Sequence, residues 1–237
     1  MLRDDSFGRE FKSRRLHQFY FMTMTDRQRY ILHELRYHLP YTLGSVAAAM
    51  ALLGLLSALI ENSHFQQVGE RMFHIFHPLH LLFSATTATA MFWKYEKRLV
   101  KTVLLGSLGS VGICGLSDVV FPYLSGTLLG TKMVLHICLI EHWQLVLPFT
   151  AIGVFSGVAI DPGFRVTLFS HAGHVFSSSM ASLLYLVSFG FTNWMSAIGM
   201  VFIYTVLAVI VPCCGHDIVF PLVLTKRPPE PCLHEHQ

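Results

Sequence analysis

The sequence predicts an all-α polytopic membrane protein, with six transmembrane helices as two inverted three-helix repeats after a basic amphipathic N-terminal helix. Three observations support this fold class. Of 237 residues, 53% are hydrophobic and only 13% are charged, as in chains that cross a bilayer several times. Two different motifs each occur twice in the same order, which indicates an internal duplication. Each copy holds three apolar segments, an odd number, so the second copy must lie upside down relative to the first.

The first duplicated motif is H-x-x-H-x-x-x-S. Its histidines are His77 and His80 in the first half, and His171 and His174 in the second. On a helix the two histidines and the serine fall on one face, because they stand at positions i, i+3 and i+7. Such a pair can supply two ligands to one metal ion.

The second duplicated motif is C-x-x-x-D, continued as V-V-F-P in the first half and I-V-F-P in the second. It contributes Asp118 and Asp217. The proline four residues after each aspartate deprives that aspartate's carbonyl of its helical partner, and a cation can satisfy such a carbonyl in a membrane. Cys114 and Cys213 open the two copies, where coordination and close packing are equally reasonable roles.

The chain divides into four parts. Residues 1–39 form a basic amphipathic arm, expected to lie on anionic headgroups, and residues 226–237 form a disordered cytoplasmic tail. Between them lie the first repeat, residues 40–130, and the second, residues 131–225. The predicted spans cover residues 40–60, 74–93, 101–123, 132–160, 166–189 and 194–224. The polar run 61–71 is predicted to be a loop, as are 94–98 and the turn at 161–165.

The positive charges predict the orientation. With six spans, the arm, the 94–101 loop, Arg165 and Lys226-Arg227 all fall on one side, which should be cytoplasmic. We therefore expect an integral protein of the cell or inner membrane with both termini in the cytoplasm. The net charge of +3 is small and unevenly spread, which fits orientation in the lipid bilayer and not nucleic-acid binding. A homo-oligomer is compatible with this sequence.

The topology predicts two clusters of metal ligands at different depths. The outer cluster consists of His77, His80, Asp118, His136, Glu141 and His142, with Cys114 and Cys138 at the same depth. The inner cluster consists of His33, Glu34, His38, His171, His174, His216 and Asp217, together with Cys213. His74 lies beside the outer cluster, but a single histidine at a span end is more often an interfacial hydrogen-bonding residue.

These residue types predict a divalent transition-metal ion as the bound species, since imidazole, carboxylate and thiolate are the ligands of Zn, Fe, Mn, Co and Ni. Ionisable groups inside membrane spans are costly and usually functional. We expect a proton-coupled transporter of such an ion, not an enzyme. Two alternatives remain open: a membrane metalloenzyme with a dinuclear iron or copper site, an oxidase or hydroxylase, and a haem-binding electron-transfer subunit.

Overall fold

The computed structural model describes the backbone of residues 24–160 and 164–219, and all regular structure in this part is helical. The predictions for the arm before residue 24 and for the tail lie outside the described residues. The chain divides into two compact units, Met1–Tyr37 and His38–Gln237. In the first unit the described residues, 24–37, are helical. The contacts and sites below all belong to the second unit.

The helices take their labels in chain order. They are α1 (Met24–Leu59), α2 (Asn62–Tyr95), α3 (Leu99–Gly115), α4 (Phe121–Leu128), α5 (Cys138–Glu141), α6 (Trp143–Ala159), α7 (Phe164–Ser188) and α8 (Ile198–Val209). A π-helical segment, Leu116–Val120, joins α3 to α4, and a second one, Ile210–Val219, follows α8. A 3₁₀ turn, Trp194–Ala197, precedes α8.

Within the described part of the chain, three helical stretches are long and apolar enough to cross a membrane. They are His38–Leu59, Leu99–Leu128 and Trp194–Cys213. Leu55, Leu108 and Ile203, one from each stretch, are exposed, whereas His80 and Asp118 are fully buried. Apolar groups outside and polar groups inside are what a lipid environment requires. The chain is therefore consistent with an integral membrane protein.

Helix α2 is the centre of the packing, because α7, α6 and α3 all lie along it. Two glycines of α6 allow its backbone to approach that of α2. A Cβ atom on Gly153 would lie 2.5 Å from the Leu82 carbonyl oxygen, and one on Gly157 would lie 2.6 Å from that of Thr86. Small residues commonly give membrane helices this close contact. The result is close packing of helices along α2, which carries His77 and His80.

The polar run 61–71, predicted to be a loop, is helical from Asn62 onwards. This prediction is wrong because tertiary contacts with the end of α7 stabilise the run. The Gln66 side chain donates a hydrogen bond of 2.7 Å to the Ser188 carbonyl. Phe65 is buried, and Gly69 lies so close to Ser188 that a Cβ would be 2.6 Å from its Oγ. The run is therefore the first part of helix α2, packed against the end of α7.

The predicted span 132–160 is also not one helix. Residues 131–137, called the extended segment below, form neither a helix nor a strand, and helix α6 begins only at Trp143. Gly130 ends the preceding turn with a φ of +81°, a conformation that favours glycine. The Val134 N–H then donates to the Phe189 carbonyl at 2.8 Å, and the His136 N–H donates to the Tyr185 hydroxyl at 3.0 Å. Because tertiary acceptors take these N–H groups, the segment does not form a helix.

Pro122 widens its helix instead of breaking it. The Phe121 N–H bonds to the Leu116 carbonyl, five residues back, in the π register. In that register the carbonyl of Ser117 faces Pro122, which has no N–H to donate. The Ser182 hydroxyl of α7 supplies the missing hydrogen bond at 2.9 Å. From the sequence, the carbonyl of Asp118 was expected to lack its helical donor. In the structure, the carbonyl that accepts from a side-chain hydroxyl is that of Ser117, one residue earlier.

Candidate metal centre

Asp118 is fully buried, and described side chains donate four hydrogen bonds to its carboxylate. Oδ2 accepts from His77 Nδ1 at 2.8 Å and from His80 Nδ1 at 2.7 Å. Oδ1 accepts from the hydroxyls of Ser117 at 2.7 Å and Ser178 at 3.2 Å. Because a carboxylate only accepts, both histidines must carry a proton on Nδ1. With the proton on Nδ1, Nε2 is the ring nitrogen left to bind a metal ion.

The Nε2 atom of His80 faces two cysteines. It lies 3.5 Å from Cys213 Sγ and 3.6 Å from Cys114 Sγ. The ring of His174 lies beside the His80 ring, with centroids 4.7 Å apart. His80, His174 and Cys213 are all buried and bring their ligand atoms within 4.8 Å of one another. We call these three residues the buried centre.

The buried centre joins the two copies of the duplicated motifs. The sequence assigned His80 to an outer cluster and His174 to an inner one, and on this point the prediction is wrong. Helices α2 and α7 pack along each other, so the second histidine of each H-x-x-H motif reaches the same place. The serines of the motifs are buried too. Ser178 bonds to Asp118, whereas Ser84 Oγ has no hydrogen-bond partner among the described residues.

A second group of ligands consists of His74, His136 and His142, whose ring nitrogens also lie within 4.8 Å of one another. We call it the histidine triad. The Nε2 atoms of His74 and His136 are 3.1 Å apart, and the ring of His142 lies 4.3 Å from that of His74. His136 is buried, whereas His74 and His142 are half-buried. The triad is therefore closer to solvent than the buried centre.

Neighbouring groups fix two of these rings. His74 Nδ1 lies 2.8 Å from the Glu70 carbonyl, and His136 Nδ1 lies 3.0 Å from the Glu141 carboxylate. The His136 ring also stacks on Phe189, with centroids 4.7 Å apart. Burial lowers the pKa of His136 below its ordinary value, and the Glu141 charge opposes this shift only in part.

Cys138 lies at the edge of the triad, with its Sγ 3.6 Å from His136 Nε2. Burial, together with the charges of Asp118 and Glu141, raises the pKa of the Cys138 thiol to about 12. The thiol is therefore protonated at neutral pH.

Phe73 lies between the two groups. Its ring stacks on His77, with centroids 5.3 Å apart, and meets the rings of His74 at 5.5 Å and His136 at 6.2 Å edge-on. His77 is already held by Asp118, so the aromatic ring separates the triad from the buried network. The two groups are distinct sites.

The remaining predicted ligands are outside both groups. His216 is buried in the second π-helical segment, and His38 is half-buried in α1. Neither belongs to a three-ligand group among the described residues. The side chains of four other predicted ligands lie outside the described residues, so their roles stay predictions: His33, Glu34, His171 and Asp217.

From the sequence, coordination and packing were equally reasonable roles for Cys114 and Cys213, and an interfacial role was preferred for His74. For the cysteines the signal was present, because each opens a duplicated motif at the same distance from its aspartate. His74 belongs to neither duplicated motif, so the sequence carries no such signal for it. It becomes a candidate ligand only because the extended segment brings His136 next to it. No protein-family model, curated protein or solved structure matches this chain, so its function has to be inferred from the chemistry of these sites.

Proposed function

We propose that this protein transports a divalent transition-metal ion across the membrane, with the buried centre as its binding site. The observation that carries the proposal is the orientation of His80. Its Nδ1 proton is held by Asp118, while its Nε2 faces Cys213 and Cys114. A carboxylate, a histidine and a metal in this order form a common arrangement in metal sites.

The distances fit an ion of the size and geometry of Zn²⁺. With Zn–N near 2.05 Å and Zn–S near 2.3 Å, tetrahedral coordination sets nitrogen and sulfur roughly 3.6 Å apart. His80 Nε2 lies 3.5 Å from Cys213 Sγ and 3.6 Å from Cys114 Sγ. His174 supplies another imidazole beside them. His80, His174 and Cys213 thus supply three donors for one ion, and Cys114 lies next to the same Nε2 atom.

The donor set narrows the ion class. Thiolate and imidazole both suit Zn²⁺, whereas Mn²⁺ prefers oxygen ligands. The carboxylate of Asp118 accepts hydrogen bonds from His77 and His80, so it is not itself a ligand. It orients the His80 ring, and its negative charge compensates part of the positive charge of the bound ion. A cysteine must lose its proton to bind the ion, so loading releases a proton and unloading takes one up. This linkage is the basis of the proposed proton coupling.

The proposed architecture is six membrane segments in two inverted repeats, with both termini in the cytoplasm. The contact between His80 and His174 supports it, because equivalent residues of two symmetry-related halves meet near the symmetry axis. Cys114 and Cys213, also equivalent, flank the same Nε2 atom. Each aspartate motif lies at a π-helical segment, a rare structure often found at functional sites. Labelling of a cysteine introduced at Lys97 and of one added after Gln237 should be confined to the cytoplasmic side, and labelling from opposite sides would refute this topology.

The test of transport is Zn²⁺ flux into proteoliposomes under an imposed pH gradient. We expect C213S to abolish flux, because serine has nearly the size of cysteine but does not ionise at neutral pH. The matched control is S110A, which removes a buried hydroxyl whose hydrogen bonds stay within helix α3. S110A should retain flux. Equal flux in C213S and wild type would refute the proposal.

The other two functions make different predictions for the same purified protein. A dinuclear oxidase would hold iron or copper firmly and show a charge-transfer band, with no flux. A haem protein would show a Soret band. Any of these results would replace the transport proposal. The rings of His80 and His174 are tilted by 33° with their centroids 4.7 Å apart, which leaves no room for a porphyrin between them and weighs against haem at this pair.

A further inference from the structure

We infer that the histidine triad, His74, His136 and His142, is a second metal site that binds Zn²⁺ independently of the buried centre. It uses three imidazole nitrogens from three elements of the chain: helix α2, the extended segment, and the turn between α5 and α6. The inference does not depend on transport, since it concerns occupancy of a separate site.

The hydrogen bonds around the triad predict where the ring protons lie. His74 Nδ1 faces the Glu70 carbonyl at 2.8 Å, and His136 Nδ1 faces the Glu141 carboxylate at 3.0 Å. Both acceptors lack hydrogens, so both Nδ1 atoms must be the protonated ones. Each neutral ring therefore has a bare lone pair on Nε2.

These two lone pairs point at each other across 3.1 Å. Two acceptors at that distance repel unless a positive charge lies between or beside them. A Zn²⁺ ion bound to both nitrogens at about 2.05 Å in tetrahedral geometry would set them roughly 3.3 Å apart. The observed separation is close to that value, and His142 is within reach to provide a third bond.

The surroundings of the triad favour an exchangeable ion. Three imidazoles leave a fourth tetrahedral position open, which suits water or a transient ligand. His74 and His142 are half-buried, and Glu141 is half-exposed behind His136. By contrast, the ligands of the buried centre are fully enclosed, and Phe73 separates the two sites. Zn²⁺ should therefore reach the triad without passing through the buried centre.

The experiment is Zn²⁺ binding to the full-length protein in detergent, measured by equilibrium dialysis and metal analysis. The test variant is H142A, because His142 is half-buried and its removal leaves the other two rings in place. The matched control is H64A, which removes an exposed histidine from the same protein, on α2. C213S is measured in parallel to report the buried centre separately.

We expect H142A to bind one Zn²⁺ fewer than wild type and H64A to bind the same number as wild type. The double variant that combines C213S and H142A should lose both sites. In E141Q the number of sites should be retained, while the dissociation constant of the triad rises about 10- to 100-fold, because an outer-shell partner is weakened. If H142A and E141Q both bind Zn²⁺ like H64A, the triad is not a metal site. If C213S loses a bound Zn²⁺ and H142A does not, the buried centre stands as a metal site and the proposal for the histidine triad is overturned.

Discussion

The Nδ1 atom of His80 lies 2.7 Å from Oδ2 of Asp118, and both residues are shut off from solvent. This hydrogen bond links the two duplicated motifs, one on α2 and the other on the π-helical segment after α3. It also fixes which nitrogen of His80 faces the cysteines.

The first prediction concerns this bond. D118N keeps the size of the side chain but removes its charge, and it replaces one pair of acceptor sites with an NH₂ group. The two serine hydroxyls can rotate to accept from that group, so the fold should be retained. We expect Zn²⁺ affinity at the buried centre to fall about 10- to 100-fold. Isothermal titration of D118N beside S110A measures the effect, and affinities equal to wild type would exclude an orienting role for Asp118.

The second prediction concerns pH. Burial lowers the pKa of His136, so this ring is already neutral at pH 7 and proton competition begins only at lower pH. Zn²⁺ affinity at the triad should therefore be constant between pH 8 and 7 and should decrease only below about pH 6.5, the ordinary histidine pKa. The Glu141 charge raises the pKa of His136, so E141Q should move the decrease to still lower pH.

The buried centre provides the contrast for this measurement. Because a cysteine there releases its proton on binding, affinity should continue to rise above pH 7, by about tenfold per pH unit for one proton. H142A isolates the buried centre and C213S isolates the triad. Identical pH profiles for the two variants would contradict these assignments.

The third prediction concerns the contact between α2 and α6. In G157A, the added methyl group would meet the Thr86 carbonyl oxygen at 2.6 Å and Thr89 Cβ at 2.7 Å, so the helices must separate. We expect the free energy of unfolding to fall by about 1–3 kcal/mol. The control is G112A in α3, where a Cβ meets nothing within 4 Å and should stabilise the helix by about 0.5–1 kcal/mol. Thermal unfolding in detergent compares the two, and equal midpoints would show that the close approach is not required.

The fourth prediction concerns the carbonyl that Pro122 leaves without an N–H donor. S182A removes the hydroxyl that bonds to the Ser117 carbonyl at 2.9 Å, and a buried acceptor without a partner costs about 1–3 kcal/mol. The control, S179A, removes a buried hydroxyl on the same helix that bonds only to the Val175 carbonyl of its own helix. That carbonyl retains its helical hydrogen bond, so the loss should be below about 1 kcal/mol. A smaller loss in S182A than in S179A would contradict this account.

The sequence alone determined the helical class, consistent with a membrane protein, and the positions of the duplicated motifs. Composition sets the first, because a chain this apolar and this poor in charge is typical of a membrane protein. The repeat sets the second, since His80, Asp118 and His174 were recognised from their spacing on helices. Of the five predicted spans that the structure describes to their ends, four are helical over almost their whole length, and the fifth, 132–160, is not one helix. Spacing along a helix fixes which side chains share a face, and it needs no tertiary information.

Only the tertiary structure decided which ligands meet. Periodicity gives the face of α2 that carries His80 but not the helix opposite it, so the contact with His174 and Cys213 required the packing of α2 on α7. The triad depended on the Val134 and His136 N–H groups bonding to Phe189 and Tyr185, residues far along the chain, in place of forming a helix. Local propensity favoured a helix there, and long-range hydrogen bonds outweighed it because a buried N–H must find a partner.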